Sequence, residues 1–393
     1  MEETSLYVHI PFCRHRCSYC DFNTYAGMEA LIDDYVQALC SEAAALAESA
    51  GERIRTRTVF FGGGTPSLLS LRQIQTILTT LREQLEIVPG AEITLEANPG
   101  TVNAEFLAGL KKLGVNRLSM GVQSAQSSEL RLLEREHDFG DVIQGMQWAR
   151  QAGFENVSID LIFGLPYQNL EAWQRNLEPA LGLEPDHISL YALSLEHGTP
   201  LKQWVGRGLL PEPDADLAAD MYEWTMDVLR DHGFVQYEIS NWARKNGSGI
   251  KACRHNLQYW RNEAYIGLGA GAHGFIGGYR TENVLAPRAY TQRFLSATKK
   301  AFPRTPATVT ARPVGRHQEM RETMMMGLRL VEEGVSRRYF AERFGVEPED
   351  MFGEEIALLA GRGLLEWAGD ERERLRLTPG ARFIGNQVFR QFV

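Results

Sequence analysis

Three cysteines near the N-terminus carry the strongest chemical signal in this chain. Cys13, Cys17 and Cys20 fall within eight residues. Soft thiolate ligands at this density select zinc or an iron–sulfur cluster. A structural zinc site takes four ligands, usually as two separated pairs, and no second Cys-x-x-Cys pair occurs in the sequence. Three thiolates on one loop therefore favour a [4Fe-4S] cluster with one iron left open, although His9 or His15 would complete a zinc site.

A glycine-rich turn and four polar residues have the positions expected of a cofactor site. Gly63 and Gly64 lie in a Gly-Gly-Gly-Thr-Pro stretch after a strand-like run, where the missing side chains let the backbone approach a ligand. A tight βα turn explains three glycines equally well, and no Gly-Lys-Ser/Thr follows to make a Walker loop. The four polar residues at or just beyond strand ends are Glu96, Gln123, Arg135 and Asp160. Such side chains need partners if they point inward, and a structural ion pair between Glu96 and Arg135 is an alternative to ligand binding.

The elements that must position these residues alternate along the first 235 residues. Short β-branched or apolar runs alternate with longer helical patterns, which predicts successive βα units with parallel strands. The predicted strands are Ser5–Ile10, Thr58–Gly62, Glu92–Asn98, Arg117–Gln123, Val157–Phe163 and His187–Leu193, and the main helices are Glu29–Ser49, Leu71–Leu85, Glu105–Leu113, Asp141–Gln151, Glu171–Leu181 and Leu217–His232. Six such units favour an α/β fold with a curved sheet or partial barrel, and a doubly wound sheet is the alternative. In either, functional residues belong at the C-terminal strand ends.

The C-terminal part of the chain has a different pattern. A proline-rich stretch at 302–313 predicts a linker, and three helices and a small hairpin follow it, which suggests a winged-helix-like α+β module. We expect three regions: a barrel at 1–235, an extension at 236–301 and the module at 302–393. The glycine run at 267–274 follows no complete βαβ unit, so it predicts a loop beneath the cofactor site rather than a dinucleotide fingerprint.

Composition narrows the compartment and the partners. The formal charge is −9 and no long basic run occurs, which argues against a nucleic-acid binder. No apolar run approaches the roughly 18 residues of a membrane span, and the N-terminus shows no cationic or apolar leader. Cys40 and Cys253 have no obvious disulfide scheme, which fits a reducing compartment. We expect a cytoplasmic protein without a membrane span, and peripheral association with a membrane-bound recipient stays open.

The cysteine spacing, with Tyr19 before the third cysteine, resembles the radical S-adenosylmethionine (SAM) superfamily. The stretches Tyr-Val-His-Ile-Pro-Phe-Cys, Gly-Gly-Gly-Thr-Pro, Glu-Ala-Asn-Pro-Gly, Gly-Val-Gln and Asp-Leu-Ile-Phe-Gly-Leu-Pro resemble its oxygen-independent coproporphyrinogen III oxidase (HemN-like) family over the whole chain. The resemblance implies a partial (β/α)6 radical SAM barrel, with SAM bound at the open iron of a cluster held by the three cysteines. The residues that it would bring to SAM are Tyr7, Tyr19, Gly63, Gly64, Thr65, Glu96, Gln123, Arg135, Asp160 and Ala192.

Two branches of that family differ in function. The oxidases have a fourth cysteine two residues after the third and a longer N-terminal extension, whereas this chain has Phe22 there and only twelve residues before Cys13. A His-Asn-x-x-Tyr-Trp element instead resembles the haem-chaperone (HemW) branch, which implies a haem site at His255, Asn256, Tyr259 and Trp260. An imidazole can ligate haem iron and the aromatic side chains offer flat apolar surface, although a histidine beside aromatics is more often a satisfied core residue.

The resemblance implies a haem chaperone that binds a [4Fe-4S] cluster, SAM and haem and transfers haem to acceptor haem proteins. The alternative is an oxygen-independent coproporphyrinogen III oxidase that uses a 5′-deoxyadenosyl radical, and a zinc-stabilised binding module is a third class. Whether the chain is an enzyme, whether it cleaves SAM, how haem attaches, which protein accepts it and in what oligomeric state are left open. The roles of Cys253 and His273 are also open.

Overall fold

A computed structural model describes residues 3–247, 249–295 and 299–393. The chain divides into two compact units. The first combines residues up to 225 with residues 264–312, and the second combines residues 226–263 with residues 313–393. The predicted extension at 236–301 is thus shared, since its first part packs with the C-terminal module and its second part with the barrel. The predicted boundaries at 235 and 301 stay predictions.

The strands are, in chain order, β1 Thr4–Ile10, β2 Phe12–Cys13, β3 Tyr25–Ala26, β4 Arg55–Gly63, β5 Glu86–Ala97, β6 Arg117–Gln123, β7 Val157–Phe163, β8 His187–Ala192, β9 Phe234–Glu238, β10 Asn241–Asn246, β11 Gly249–Ile250, β12 Tyr265–Leu268, β13 His273–Ile276, β14 Tyr279–Asn283, β15 Thr308–Pro313, β16 Val335–Ser336, β17 Leu365–Ala368 and β18 Arg374–Leu377. The α-helices are α1 Ile32–Ala50, α2 Leu71–Gln84, α3 Ala104–Lys112, α4 Ser127–Leu132, α5 Phe139–Gln151, α6 Leu170–Leu181, α7 Pro200–Gly206, α8 Ala215–Asp231, α9 Arg254–Trp260, α10 Pro287–Leu295, α11 Arg316–Gly327, α12 Arg337–Phe344, α13 Pro348–Gly361 and α14 Gly385–Phe389.

The parallel strands of the six βα units lie side by side in the central sheet of the first unit, which confirms the predicted partial barrel. Strand β1 pairs with β4, and β4 through β8 follow in order, each parallel to the next. The helices begin where local sequence caps them; Ser70 and Gln73, for example, form a capping box at the start of α2. All six predicted strands and the six predicted helices between and after them are present; their ends differ by at most three residues, except that β5 begins six residues before its predicted start. Their order brings six βα connections to one edge of the sheet.

Side chains alternate between the two faces of these strands. In β1, Leu6, Val8 and Ile10 are fully buried and apolar, while Ser5 and His9 belong to the polar, opposite face. The same polar face continues through the other strands with Glu92, Arg117, Ser158 and His187, all of them buried. The inside of the barrel is therefore lined by polar and charged groups below the strand ends.

The glycine run at 267–274 contains the predicted loop at 269–272, but its two ends belong to strands β12 and β13. Strand β12 pairs parallel with β1, and β13 returns antiparallel beside β12. Glycine is needed at position 267 because a Cβ there would lie 2.0 Å from the carbonyl oxygen of His273. The prediction missed the strand residues at the two ends of the run, because two strands that approach this closely need glycine and glycine weakens the strand signal.

The proline-rich stretch is also more ordered than the predicted linker. Thr305 and Ala307 are buried, and β15 begins at Thr308 and extends the sheet beyond β14. The Thr305 hydroxyl donates a hydrogen bond to Glu42 at 2.8 Å. The first two prolines in this stretch lie at turns, as predicted, but these turns are part of the first unit and do not form a linker between units.

The second unit contains the predicted winged-helix-like arrangement. Helices α11 to α13 pack with a three-stranded antiparallel sheet in the order β16-β18-β17 around one apolar core, and Met324 and Phe340 are fully buried in it. Residues 226–263 add the antiparallel pair β9 and β10 and the short helix α9. Arg261, at the end of α9, makes two hydrogen bonds of 2.8 and 2.7 Å to Glu333. Within the described ranges, no helix combines the length and apolarity needed to cross a bilayer.

Candidate cofactor site

A cavity of about 390 Å³ opens at the C-terminal ends of the six parallel strands. It collects residues that are far apart in the sequence, because each strand contributes the loop that follows it. The sequence-predicted residues that line it are Cys13, Cys17, Tyr19, Cys20, Gly63, Gly64, Thr65, Glu96, Gln123, Arg135, Asp160 and Ala192. The structure thus brings twelve of the thirteen predicted cluster and SAM residues to one cavity, and Tyr7 is the exception.

Each of the three motif thiols has one side-chain neighbour at hydrogen-bonding distance. Thr65 donates its hydroxyl to Cys13 Sγ at 3.5 Å, and Arg135 donates Nη1–H to Cys17 Sγ at 3.4 Å. The thiol of Cys20 lies 3.9 Å from the hydroxyl of Thr24. Burial raises the pKa of Cys13 to about 11, against the effect of the Thr65 hydroxyl, so occupation of the site must displace a proton from this thiol.

The two histidines proposed for a zinc site contact other groups, although His15 lines the same cavity as the thiols. The buried His9 accepts or donates through both ring nitrogens, with Nδ1 2.9 Å from the Tyr7 hydroxyl and Nε2 2.9 Å from the carbonyl oxygen of Asn23. Burial also lowers its pKa, so the ring is held neutral. His15 is half exposed and lies 3.7 Å from Glu134.

Tyr7 lies on the inner face of β1, below the cavity, rather than in its lining. Its hydroxyl contacts His9, and its ring stacks near Phe60 with centroids 6.3 Å apart. Burial raises its pKa well above the ordinary range, and the carboxyl of Glu96 acts in the same direction. Tyr7 is therefore a neutral phenol that supports the floor of the site.

The glycine turn is shaped by close approach of backbone atoms. Gly63 has a φ of +112°, and a Cβ there would lie 2.4 Å from the His9 ring. A Cβ at Gly64 would lie 2.7 Å from the carbonyl oxygen of Phe12. The amide groups of Gly64 and Thr65 donate to the carbonyl oxygens of Ile10 and Phe12, which ties this turn to the start of the cysteine loop.

Two carboxyl groups point into the cavity from β5 and β7. Glu96 accepts a hydrogen bond of 3.1 Å from the Gly63 amide, and Asp160 accepts from the Ser119 hydroxyl at 3.4 Å. Burial and then the nearby Asp160 raise the pKa of Glu96 to about 7, against the opposing effects of the Gly63 hydrogen bond and of Arg117. The pKa of Asp160 is also raised by burial. Two desolvated carboxyls this close to one another suit a cationic ligand.

Arg135 and Gln123 complete the polar lining. Arg135 donates Nη2–H to the carbonyl oxygen of Gly121 at 2.8 Å, and its buried Nε has no hydrogen-bond partner among the described residues. Gln123 has a φ of 68°, a left-handed conformation that non-glycine residues adopt rarely. The alternative ion pair between Glu96 and Arg135 is not formed, since each contacts other groups.

The residues present fit a [4Fe-4S] cluster with SAM. Three thiols face one cavity, two carboxyl groups lie deeper in it, and a backbone turn without side chains forms one wall. An unpartnered guanidinium nitrogen inside the lining offers a hydrogen bond to a ligand carboxylate or hydroxyl. A ligand with amino, carboxylate, hydroxyl and cationic groups would find a suitable partner for each of them in this lining.

The His-Asn-x-x-Tyr-Trp element forms helix α9 in the second unit. His255 is 1% exposed and its Nε2 lies 3.0 Å from the hydroxyl of Tyr259, with the two rings nearly perpendicular. Asn256 is partly buried. Trp260 lines a second cavity of about 260 Å³ together with Leu330, Val335 and Tyr339.

Two side chains of α9 carry buried polar atoms without partners in the described part of the chain. They are both amide atoms of Gln258, which is 1% exposed, and the indole nitrogen of Trp260. The guanidinium of Arg329 lies over the Trp260 ring at 4.6 Å. Buried polar groups are normally hydrogen-bonded, so this helix has unused capacity for a polar ligand.

Sequence reasoning missed Arg117, which is 2% exposed on the inner face of β6. Its positive charge lowers the pKa of both Glu96 and Asp160 and so opposes the effect of burial. An arginine inside an apolar strand was the available signal. The exposed His273, at the start of β13, is not among the residues that line either cavity.

Known proteins and family profiles match both ends of the chain. The Radical SAM superfamily profile matches residues 7–179, and the HemN C-terminal domain profile matches residues 314–384. The chain is 39% identical to the heme chaperone HemW of Bacillus subtilis, over 99% of both chains, and 37% identical to that of Mycobacterium tuberculosis, over 98% of this chain and 93% of the relative. A mitochondrial radical S-adenosyl methionine domain-containing protein 1 of Mus musculus is 39% identical over 92% and 81% of the two chains.

A solved structure matches the whole fold. The coproporphyrinogen III oxidase HemN of Escherichia coli, described as a radical SAM enzyme, superposes with a TM-score of 0.82 at 25% identity, over 99% of this chain and 90% of that chain. The match extends across both compact units, so both have counterparts in one known protein.

Proposed function

The chain belongs to the HemW family of radical SAM proteins, and on that premise we propose that it is a haem chaperone that passes haem to acceptor haem proteins. The observation that carries this proposal is the similarity over the full chain to relatives that are named heme chaperones. A match of this length includes helix α9, which bears the predicted haem residues. In the same proposal, the cavity in the first unit binds the cofactors of the superfamily.

In this proposal a [4Fe-4S] cluster is held by Cys13, Cys17 and Cys20. Three thiolates leave one iron without a protein ligand, and the amino and carboxylate groups of SAM suit that position. When bound, the cluster and SAM together supply one-electron chemistry at a sulfonium, which no side chain provides. The chain's own residues bind, orient and shield the pair. Those proposed to contact SAM are Tyr19, Gly63, Gly64, Thr65, Glu96, Gln123, Arg135, Asp160 and Ala192, with Tyr7 supporting them from below.

Haem is proposed to bind at helix α9. His255 would supply the axial nitrogen, and Tyr259 and Trp260 the aromatic surface. Since Nε2 of His255 is engaged by the Tyr259 hydroxyl, ligation through this nitrogen requires that hydroxyl to move away. The unpartnered atoms of Gln258 and Trp260 support a ligand here, because they could receive hydrogen bonds from or donate them to haem substituents. Asn256, on the same helix, is proposed to orient the bound haem.

A second candidate function is the oxygen-independent oxidation of coproporphyrinogen III. The structural match to HemN favours it, because the barrel and the C-terminal unit both have counterparts in that enzyme. Against it, the position two residues after Cys20 is Phe22, whose side chain is 65% exposed at the edge of the cavity. An aromatic side chain there cannot supply the thiolate of the oxidase pattern.

The proposed partners are haem and apo forms of haem proteins, and we propose a cytoplasmic location. All five cysteines carry free thiols, which fits a reducing compartment. The acidic balance disfavours nucleic acid. A recipient in a membrane would be reached by peripheral association.

An assay of both activities on one preparation separates the two functions. Cluster-reconstituted protein would be incubated anaerobically with SAM, a low-potential reductant and coproporphyrinogen III, and the same sample titrated with haem. We expect saturable binding of haem and no decarboxylated product. Catalytic turnover of coproporphyrinogen III together with unsaturable haem binding would overturn the chaperone proposal and favour the oxidase.

A further inference from the structure

The side chains that contact the three thiols come from separate parts of the first unit. Thr65 belongs to the turn after β4, Arg135 to the segment after α4, and Thr24 to the cysteine loop itself. The contacts are 3.5 Å to Cys13 and 3.4 Å to Cys17, and the third is longer at 3.9 Å to Cys20. Of the three neighbours, only Arg135 brings a charge.

The guanidinium of Arg135 is held in place by two hydrogen bonds. Nη1 reaches Cys17, while Nη2 donates to the carbonyl oxygen of Gly121 near the end of β6 at 2.8 Å. A guanidinium is always protonated in proteins, so this cation stays beside the thiols at any working pH. Its charge acts on Cys13 as well as on Cys17.

A hydrogen-bond donor and a positive charge beside a cluster ligand change the reduction potential of the cluster. Reduction of a bound [4Fe-4S] cluster takes one electron from an external low-potential donor, breaks no bond and makes the cluster with its thiolates more negative. Hydrogen bonds to the ligand sulfurs and nearby cations stabilise the more negative form. They therefore raise the reduction potential, and a charged donor does so more than a neutral hydroxyl.

We propose that Arg135, through its N–H···S bond to Cys17, is a positioning residue that sets the reduction potential of the cluster, with Thr65 as a weaker contributor through Cys13. The inference rests on the cluster of the proposed function and is independent of haem. It gives Arg135 and Thr65 a role at the sulfurs in addition to their predicted contact with SAM. The unpartnered Nε of Arg135 is the atom that remains for SAM.

The test is an anaerobic redox titration of reconstituted protein without SAM and without haem, followed by electron paramagnetic resonance. The variants are Arg135→Met, which removes charge and donors at similar length, Arg135→Lys, which keeps the charge, and the near-isosteric Thr65→Val. Arg131→Met, at an exposed position of α4, is the matched control. Iron and sulfide are measured for every sample before the titration.

We expect Arg135→Met to lower the equilibrium constant for reduction at least tenfold, a midpoint about 59 mV more negative for one electron. Arg135→Lys and Thr65→Val should shift it less in the same direction, and Arg131→Met should match the wild type. A fully loaded Arg135→Met protein with an unchanged midpoint would overturn the proposal. If that variant does not retain its cluster, Thr65→Val and Arg135→Lys decide, and unchanged midpoints in both reject it. A wild-type protein that assembles no cluster fails at the earlier step, in the iron and sulfide analysis.

Discussion

Among single residues, the carboxyl groups inside the barrel have the most unusual environment. The charge of Asp160 helps to raise the pKa of Glu96, and the positive charge of Arg117 opposes this effect at both carboxyl groups. The phenol of Tyr7 stays neutral beside them. A bound cation would relieve this repulsion, so ligand binding and ionisation of Glu96 must be linked.

We predict that SAM binding to the cluster-loaded protein weakens as pH falls below about 7. Glu96, whose pKa is raised to about 7 mainly by burial, then becomes protonated, so it accepts hydrogen bonds from ribose hydroxyls less strongly and no longer offsets the sulfonium charge. At one pH unit below the pKa about a tenth of the groups are ionised, so the affinity should be about tenfold lower. Calorimetry between pH 5.5 and 8.5 measures this.

Glu96→Gln should bind SAM weakly and with little pH dependence over the same range. Glu105→Gln, at an exposed position of α3, is the control and should follow the wild type. In the protein without ligands, the raised pKa of Glu96 also links its protonation to the stability of the fold. This contribution to the free energy of unfolding is fully present below the ordinary carboxyl pKa and is lost as pH rises through about 7. The Glu96→Gln protein should lack that part of the fall in Tm. Equal SAM affinity at pH 6 and pH 8 in the wild type would contradict the role.

At this scale the sequence predicted most of the cofactor cavity. Cys13, Glu96 and Asp160 were found because a thiol cluster, or a charge within a strand, is rare without a partner. The partners themselves were not predictable. Arg135 reaches Cys17 across 118 positions of the chain, and only the fold determines which distant groups meet.

At the scale of elements, the strand pair after residue 264 determines where the cysteine loop ends. Asn23 donates its amide to the carbonyl oxygens of Ala270 and Leu285, which belong to the turns around β12 and β14. Tyr35 of α1 donates to the carbonyl oxygen of His9 and accepts from the Ala270 amide. The loop that bears the thiols is thus anchored on both sides.

Glu42 of α1 binds the same 264–312 segment through several hydrogen bonds. Its buried carboxyl accepts hydrogen bonds of 2.6 to 2.8 Å from the Gly269 amide, the Asn283 amide group and the hydroxyls of Tyr290 and Thr305. Burial raises its pKa, and the four donors oppose that rise. A single side chain of α1 thereby fastens the 264–312 segment to the first βα unit.

We predict that Glu42→Ala lowers the free energy of unfolding by about 3 kcal/mol or more, because it leaves several buried donors without an acceptor. Glu48→Ala, on the same helix, is the matched control, since Glu48 pairs with Lys299 at the surface. That change should stay within about 0.5 kcal/mol of the wild type. Urea unfolding followed by circular dichroism measures both. A Glu42→Ala protein as stable as the Glu48→Ala protein would show that the network does not stabilise the segment.

The sequence predicted long elements better than short ones. Helices such as α1 and α2 repeat their apolar positions over several turns, and the parallel strands are long enough to show their apolar runs. Strands β12 to β14 have only four or five residues each, and β12 and β13 each contain a glycine, so they are too short for a periodic signal. The pairing of β12 with β1 is a contact between distant segments that the local sequence pattern does not encode.

At the scale of the whole molecule, the two compact units carry different parts of the proposed function. The first holds the thiols and the cavity for SAM, and the second holds helix α9 with its histidine and aromatic residues. The chain crosses between the units more than once, since residues 226–263 belong to the second unit and residues 264–312 to the first. A truncation after residue 312 would therefore remove most of the second unit and leave α9 without the partners of its own core.

The most direct test of the account is an anaerobic haem titration of cluster-reconstituted wild type, His255→Ala and His197→Ala, followed by difference absorbance in the Soret region. His197, which is exposed in the first unit, is the control. The account predicts saturation at one haem per chain in the wild type and the control, and loss of that saturation in His255→Ala. Weak, unsaturable binding in all three proteins would contradict the haem chaperone.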